Sequence, residues 1–210
     1  MLTLSPNAMI ADQGRQSLLR AALKMFAENG IDAVSLRMIN REAGHRNHSA
    51  LHYHFGNKMG LLESLAEFIQ NWFEESREAS LVGVEQSANI DGRQILEAFV
   101  APYLTILKEE RGYDAVRFIA RMEFDSDTDT HHILNKFAGP SMTRFKKLLS
   151  KAYPELPKKL LHQRFNFCIT SIILGLADYK SLKHSYMGNL NTRPEELVTI
   201  MLDVLSPGLG

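Results

Sequence analysis

Residues 35–58 read SLRMINREAGHRNHSALHYHFGNK, and their pattern predicts two short helices separated by a turn, with a third helix directly after them. Ser35 is a favoured N-cap, because its hydroxyl accepts a hydrogen bond from an unpaired backbone N–H of the first turn. Gly44 ends that helix, since a residue without a Cβ readily adopts the left-handed conformation of helix C-termini. Gly56 closes the unit, and Asn57 caps the next helix. The layout is that of a helix-turn-helix, which lets one short helix lie in the major groove of DNA.

The second helix is expected from His48 to about His54, with an apolar inward face formed by Ala50, Leu51 and Phe55. The polar residues that remain are the candidates for DNA contact. Five of them are expected at base edges, namely Arg46, Asn47, His48, Ser49 and His52. Among these, the arginine suits guanine and the asparagine suits adenine. Four others are expected at phosphates, namely Arg37, Tyr53, His54 and Lys58, and Ser35 is a further candidate for DNA contact.

An amphipathic helix precedes this unit and ends in Asn29-Gly30. Its apolar residues at helical spacing are Leu19, Ala22, Leu23, Phe26 and Ala27. With the helix after Ser35 and the closing run Tyr53-His54-Phe55-Gly56-Asn57-Lys58, it resembles the DNA-binding domain of the TetR family of transcriptional regulators, over about residues 12–65. The segment from Gly44 to Phe55 is one residue longer than the commonest form, and His48 stands where a small residue is frequent.

The resemblance implies both an architecture and a function. TetR-like proteins are all-α, and a larger helical domain that forms a homodimer and holds a small molecule follows the helix-turn-helix. A homodimer would place two recognition helices on the two half-sites of a palindromic operator. The chain is therefore expected to be a transcriptional repressor that leaves its operator when an effector binds.

Composition fits a globular protein of one or two domains, with 210 residues, 45% of them hydrophobic and 23% charged, and no formal net charge. The single cysteine, Cys168, excludes a disulfide within the chain and suits a reducing compartment. The N-terminal residues lack the basic start and apolar run of a signal peptide. The most apolar stretch, 165–177, is shorter than the roughly 20 residues that span a bilayer. We expect a cytoplasmic protein.

The chain after Lys58 lacks the period-two alternation of strands and predicts further helices, so the expected fold class is all-α. We expect a DNA-binding domain over residues 1–57, with a short flexible N-terminus at about 1–8, and an effector-binding and dimerisation domain over 58–210. The larger domain is expected to begin with a connecting helix 58–81 and a loop 82–90. Three helices should follow, the first from Asp91 to about residue 110, the second over 112–124 and the third over 125–153. The dimerisation helices within 158–205 are expected at 158–184 and 192–205. Asp91 with Gln94, and Thr192 with Glu195, have capping-box spacing.

The last two helices favour self-association, because the stretch 165–177 is apolar on nearly every side and must be covered on every side. Gly175 lies among large residues, where another helix packing closely would explain it. The expected interface residues are Ile172, Gly175, Leu176, Leu197, Met201 and Val204. The alternative from the residues alone is that both helices form the core of a monomer. The resemblance favours a dimer built as a four-helix interface.

The middle helices carry many aromatic and methionine residues, which predict a largely apolar effector pocket. Its expected lining residues are Phe99, Tyr103, Phe118, Met122, Phe145 and Phe167, with Arg121 as a polar anchor. The alternative is that most of these side chains are packed core.

Other classes of protein fit the sequence less well. An all-α enzyme would need a nucleophile, an acid–base pair or a metal cluster, and no such signature is present, so we expect no enzyme. His48 and His52 have a spacing that zinc ligands use, but the glutamate of an H-E-x-x-H motif and a nearby cysteine are missing. We therefore expect no metal and no cofactor. A helical adaptor for other proteins remains an alternative, distinguished by the absence of salt-dependent DNA affinity.

Overall fold

The structure is a computed structural model, and it describes residues 6–45, 49–125 and 127–210. Within these ranges the chain is all-α and contains no β-strand. The helices are α1 Pro6–Asn29, α2 Leu36–Glu42, α3 Ser49–Phe55, α4 Lys58–Glu85, α5 Gly92–Ile106, α6 Gly112–Glu123, α7 Thr128–Ala152, α8 Lys158–Asp178 and α9 Pro194–Leu205. Short 3₁₀ turns follow α8 at Tyr179–His184 and α9 at Ser206–Gly208.

The first three helices pack around a small apolar centre. Phe26 of α1, Ile39 of α2 and Leu51 of α3 are all fully buried there. α1 also begins earlier than expected, since residues 6–8 of the predicted flexible N-terminus are helical, while residues 1–5 lie outside the described part of the chain. α1 packs against α6 and α4 as well, so the N-terminal unit and the larger helical part share one continuous core.

α4 is longer than the sequence predicted. It continues to Glu85, where a loop was expected from residue 82. The extended part contacts Arg144 of α7, whose guanidinium donates to both carboxylate oxygens of Glu85 at 2.8 Å and to Glu78 at 2.5 Å. A bidentate ion pair of this kind holds the last turns of α4 against α7.

The ends of several other helices also differ from their predicted positions. α5 opens with the expected capping box of Asp91 and Gln94 but ends at Ile106, before a turn, and not near residue 110. α9 begins at Pro194, because proline suits the first residue of a helix. Its cap is therefore shifted by one residue from the predicted pair: the Glu196 carboxylate accepts from the Thr192 hydroxyl and from the Arg193 backbone N–H.

The segment Lys158–His184 is long and apolar enough to cross a bilayer by length and composition, since its most apolar 18-residue window has a mean hydropathy of 1.2. It packs against α5, α6, α7 and α9 of the same chain, and eight residues of α8 are buried there. The core helix of a folded domain has the same composition as a membrane span, so this property alone is weak evidence for a membrane.

Candidate nucleic-acid interface

α2 is capped and anchored as the sequence predicted. The Ser35 hydroxyl accepts a hydrogen bond from the Met38 backbone N–H at 3.3 Å. Ile39 is fully buried, while Arg37 in the first turn is exposed. The helix therefore has one face in the core and leaves a cation at its N-terminal end on the surface, where a phosphate could reach it.

The turn after α2 begins at Gly44, which has a φ of +74°. This is the left-handed conformation that favours glycine. Four residues predicted to read bases follow it. Arg46, Asn47 and His48 lie outside the described residues, and the side chain of Ser49 is likewise not described.

α3 presents one face to the core and the other to solvent. Leu51 and Phe55 are buried, whereas His52 is exposed and Tyr53 is 83% exposed. The His52 Nδ1 lies 2.6 Å from the Gly56 carbonyl oxygen. Because a carbonyl only accepts, Nδ1 carries the proton, and in the neutral ring Nε2 is left as an acceptor. The outward face of α3 thus offers an aromatic hydroxyl and an imidazole acceptor.

The corner between α3 and α4 is tight. Gly56 has a φ of +72°, and the Asn57 side chain caps α4 by accepting from the Gly60 N–H at 2.9 Å. A Cβ at Gly60 would lie 2.2 Å from the Phe55 carbonyl oxygen. Only glycine therefore fits there. Lys58, half-buried, begins α4 with its ammonium 5.9 Å from the centroid of the Phe26 ring.

α1 supports the turn and α3 through contacts that the sequence analysis missed. The Arg15 guanidinium lies 5.4 Å from the centroid of the Phe55 ring, and the Ser17 hydroxyl is 2.8 Å from Nε2 of His45. A Cβ at Gly14 would lie in van der Waals contact with both His45 and His54. The signal in the sequence was weak, because Gly14 and Ser17 are merely three residues apart on one helix.

His54 is half-buried, and its pKa is lowered by burial first and then by the positive charges of Arg15 and His45. In the unfolded chain the pKa returns to its ordinary value of about 6.5. The unfolded state then binds more protons in the range just below that value, so stability decreases as the pH falls below about 6.5. We expect the wild-type protein to melt at a lower temperature at pH 5.5 than at pH 7.5.

His54→Gln should reduce this difference, whereas His131→Gln, at an exposed position on α7, should not. Thermal unfolding followed by circular dichroism at the two pH values measures the effect. An equal pH difference in wild type and His54→Gln would contradict the assignment.

Family models match both parts of the chain. The model for bacterial regulatory proteins of the tetR family matches residues 18–65, and the model for the tetracyclin repressor-like C-terminal domain matches residues 97–208. The chain belongs to the TetR family. It is a transcription regulator of that family with a helix-turn-helix DNA-binding domain.

Solved structures of the TetR family have the same fold. A TetR family transcription regulator from Shewanella sp. PV-4 superposes with a TM-score of 0.62 at 16% identity, covering 92% of this chain and 96% of that one. HlyIIR, a hemolysin II transcriptional regulator, gives 0.61 at 16% identity, covering 93% and 98%. NalD, the secondary repressor of the MexAB-OprM multidrug efflux pump in Pseudomonas aeruginosa, gives 0.57 at 18% identity, covering 94% and 98%. No curated protein matches the sequence.

In this TetR family member the residues predicted at the dimer interface separate into two groups. Ile172 and Leu176 are fully buried within their own chain, which corrects their placement at an interface, because the predicted all-round apolar pattern could not tell the inner face of α8 from the outer one. Gly175 is likewise explained within the chain, since its added Cβ would lie 2.8 Å from the sulfur of Met201 on α9. Leu197 is half-buried, and Val204 is 73% exposed.

An exposed apolar surface remains on the last two helices. We call it the α8–α9 face, and it consists of Phe167, Leu174, Ile200 and Val204, with exposed fractions of 67%, 44%, 57% and 73%. Phe167 was predicted in the effector pocket, and its exposure corrects that prediction. Four large apolar residues exposed on two packed helices are typical of a surface that another protein covers.

The other predicted effector residues also separate. Tyr103, Phe118 and Met122 line one cavity of about 70 Å³ between α4, α5, α6 and α7. Phe99 and Phe145 instead pack in an aromatic cluster with Phe165, at ring distances of 5.6 to 6.0 Å. Arg121 is exposed on α6 and does not line the cavity. Among the described residues, no group of three or more histidine, cysteine or carboxylate side chains is arranged to hold a metal ion.

Proposed function

We propose that this protein is a repressor that binds a palindromic DNA operator as a homodimer and leaves it when a small molecule binds the helical C-terminal part. The observation that carries the proposal is α3, whose buried Leu51 and Phe55 fix a short helix with Tyr53 and His52 outward. A helix held in this way can enter the major groove without rearrangement of the core.

The charges around α3 support the same assignment. Arg37 lies exposed in the first turn of α2, and Lys58 begins α4 on the other side of α3. We propose that both contact phosphates, together with Ser35, Tyr53 and His54. Cations on either side of a reading helix set its register on the duplex. The base contacts are assigned to Arg46, Asn47, His48, Ser49 and His52.

Two copies are needed because seven residues of α3 can contact only a few base pairs. The α8–α9 face supports a homodimer, since the same surface on two copies forms a two-fold interface. Within the proposed dimer, the chain divides at residue 57 into a reading part and a dimerisation part that are linked by α4.

In the proposed function the protein acts in the cytoplasm, where its operator is accessible, and it has no catalytic role. HlyIIR and NalD are regulators by their descriptions, and NalD is a repressor, which supports repression here by analogy of fold alone.

Selection of duplexes from a random library by the purified protein tests this function directly. We expect enrichment of an inverted repeat whose half-sites lie about one or more helical turns apart, roughly 34 Å or a multiple of it. Absence of enrichment over several rounds would contradict the regulator proposal and favour the adaptor alternative.

On the selected operator, Lys58→Ala should weaken binding to operator and to unrelated duplex alike, because it removes a phosphate contact. The slope of log K against log salt should flatten by about one unit. Arg46→Ala should instead cost about 1–3 kcal/mol on the operator and relax the preference at one base pair. Mobility shifts at several salt concentrations measure both effects.

Lys108→Ala, at an exposed lysine in the turn after α5, is the matched control and should change neither quantity. Equal losses on operator and unrelated DNA for Arg46→Ala would remove that arginine from the base-reading set.

A further inference from the structure

Arg77 is the most unusual charged residue in the described part of the molecule. It lies in the second half of α4 with only 12% of its side chain exposed. Its Nη1 is buried and has no hydrogen-bond partner among the described residues. The nearest carboxylate oxygen, on Glu74, is 3.9 Å away, too far for a hydrogen bond, and that side chain is 62% exposed. A buried guanidinium N–H without a hydrogen-bond partner lowers the stability of the folded protein, so the presence of an arginine at this position needs an explanation.

The other contacts of Arg77 do not supply one. Its guanidinium carbon lies 5.4 Å from the centroid of the Phe73 ring, an interaction that leaves the N–H groups unsatisfied. Burial lowers the pKa of Arg77, in line with a cation that is poorly solvated. The Tyr103 hydroxyl keeps its proton, because burial raises its pKa. The guanidinium of Arg77 and the hydroxyl of Tyr103 can therefore both donate hydrogen bonds.

Arg77 and Tyr103 line the same cavity, the one of about 70 Å³ between α4, α5, α6 and α7. The rest of the wall is mostly apolar and includes Phe118, Met122, Leu134 and Phe137. The cavity has room for about five water-sized groups. A small molecule that fits must therefore be short, apolar at one end and able to accept hydrogen bonds at the other.

We propose that this cavity binds a short-chain aliphatic monocarboxylate, whose carboxylate pairs with Arg77 and whose apolar part lies against Phe118, Met122 and Phe137. A carboxylate matches the fork of a guanidinium and supplies the missing acceptor. The proposal rests on the proposed function, since it names the chemical class of the effector.

The position of the cavity suggests how occupation reaches the DNA-binding unit. Its walls on α4 and α7 continue toward the α3–α4 corner, where Lys136 of α7 forms an ion pair with Glu63 of α4. Ile133 of α7 lies beside Phe55 and Asn57 at that corner. A ligand that separates α4 from α7 would thus bear on the residues that orient α3.

Thermal unfolding of the wild-type protein, with propionate or butyrate titrated through the millimolar range, tests the assignment. Butyramide is the neutral counterpart of butyrate, and sodium chloride controls for ionic strength. We expect a rise in melting temperature of about 3–5 °C at ten times the dissociation constant of the carboxylate, and none with butyramide. No shift with either carboxylate, or an equal shift with butyramide, would overturn the proposal.

Arg77→Met locates the site. Replacing a poorly paired buried charge with an apolar side chain of similar length is often neutral or stabilising, so the variant should melt no lower than wild type. It should also lose the carboxylate response. Arg121→Met removes the same charge at an exposed position on α6 and should keep the response. If Arg77→Met kept the rise in melting temperature with carboxylate, or if only Arg121→Met lost it, the carboxylate would bind elsewhere and the assignment would be wrong.

These measurements contain no DNA, so their outcome is separable from that of the duplex selection. If a palindrome were recovered but no carboxylate raised the melting temperature, the proposal of a DNA-binding regulator would stand and the proposal of a carboxylate effector would be wrong. A carboxylate response without enrichment of a duplex would keep the cavity assignment and contradict the DNA-binding function.

Discussion

Replacing Gly60 with alanine should destabilise the protein by about 2–4 kcal/mol and abolish binding to the operator. The added Cβ would lie 2.2 Å from the backbone oxygen of Phe55, and no side-chain rotation relieves a contact with backbone. The α3–α4 corner must open instead. Because Asn57 caps α4 through the Gly60 N–H, the same movement weakens the cap. Urea denaturation measures the free energy of unfolding, and mobility shifts measure the binding.

Gly83→Ala is the matched control on the same helix. Apart from the adjacent residues and the backbone of its own helix, nothing lies within 4 Å of a Cβ at that position, and its φ is not positive. Alanine there should stabilise the protein by roughly 0.5–1 kcal/mol through helix propensity alone. If Gly60→Ala were as stable as wild type and bound the operator normally, the tight corner would not be what positions α3.

Ile200→Glu combined with Val204→Glu should convert the proposed homodimer to a monomer. Both side chains are more than half exposed on the α8–α9 face, so the charges do not enter the core of a single chain. In a dimer, however, four buried carboxylates would face one another without partners. The affinity for a palindromic operator should fall by about 100-fold or more, because the second half-site is no longer held by the same molecule.

Sedimentation velocity measures the oligomeric state, and titration of the palindrome measures the affinity. Asn135→Glu with Thr143→Glu adds the same charge to exposed positions on α7 and should leave both unchanged. A double variant that remained dimeric would exclude the α8–α9 face as the interface, and attention would move to another surface of the chain.

Most features of the fold that depend on neighbouring residues were predictable from the sequence, although the cap of α9 lies one residue later than predicted. The caps at Ser35, Asn57 and Asp91 are local, since each side chain bonds a backbone group three residues away, and each is confirmed. The glycine turn at Gly44 is local in the same sense. Short-range chemistry of this kind reads directly from residue type and spacing.

Features that depend on distant residues were not predictable. The last turn of α4 pairs through Glu85 with Arg144, which is 59 positions away in the sequence. Phe167 was assigned to the wrong environment because periodicity cannot orient a helix that is apolar all round. Arg77 looks like any charged residue in an amphipathic helix, and only the packing of α4 against α5 and α7 buries it. The outline of the DNA-binding site was therefore predictable from the sequence. The cavity that Arg77 lines was not, because it depends on how distant helices pack.

The length of α4 has a geometric consequence for operator release. Its 28 residues extend over about 42 Å, from the corner beside α3 to the end that is clamped against α7 by the ion pairs of Arg144 with Glu78 and Glu85. If the clamped end stayed fixed, a swing of about 5° would carry the other end along an arc of roughly 4 Å. In the proposed two-fold dimer, the same swing in both chains would change the separation of the two α3 helices by up to about 7 Å, roughly a fifth of one helical turn of the duplex. A rotation of this size would move both α3 helices out of register with successive major grooves at the same time.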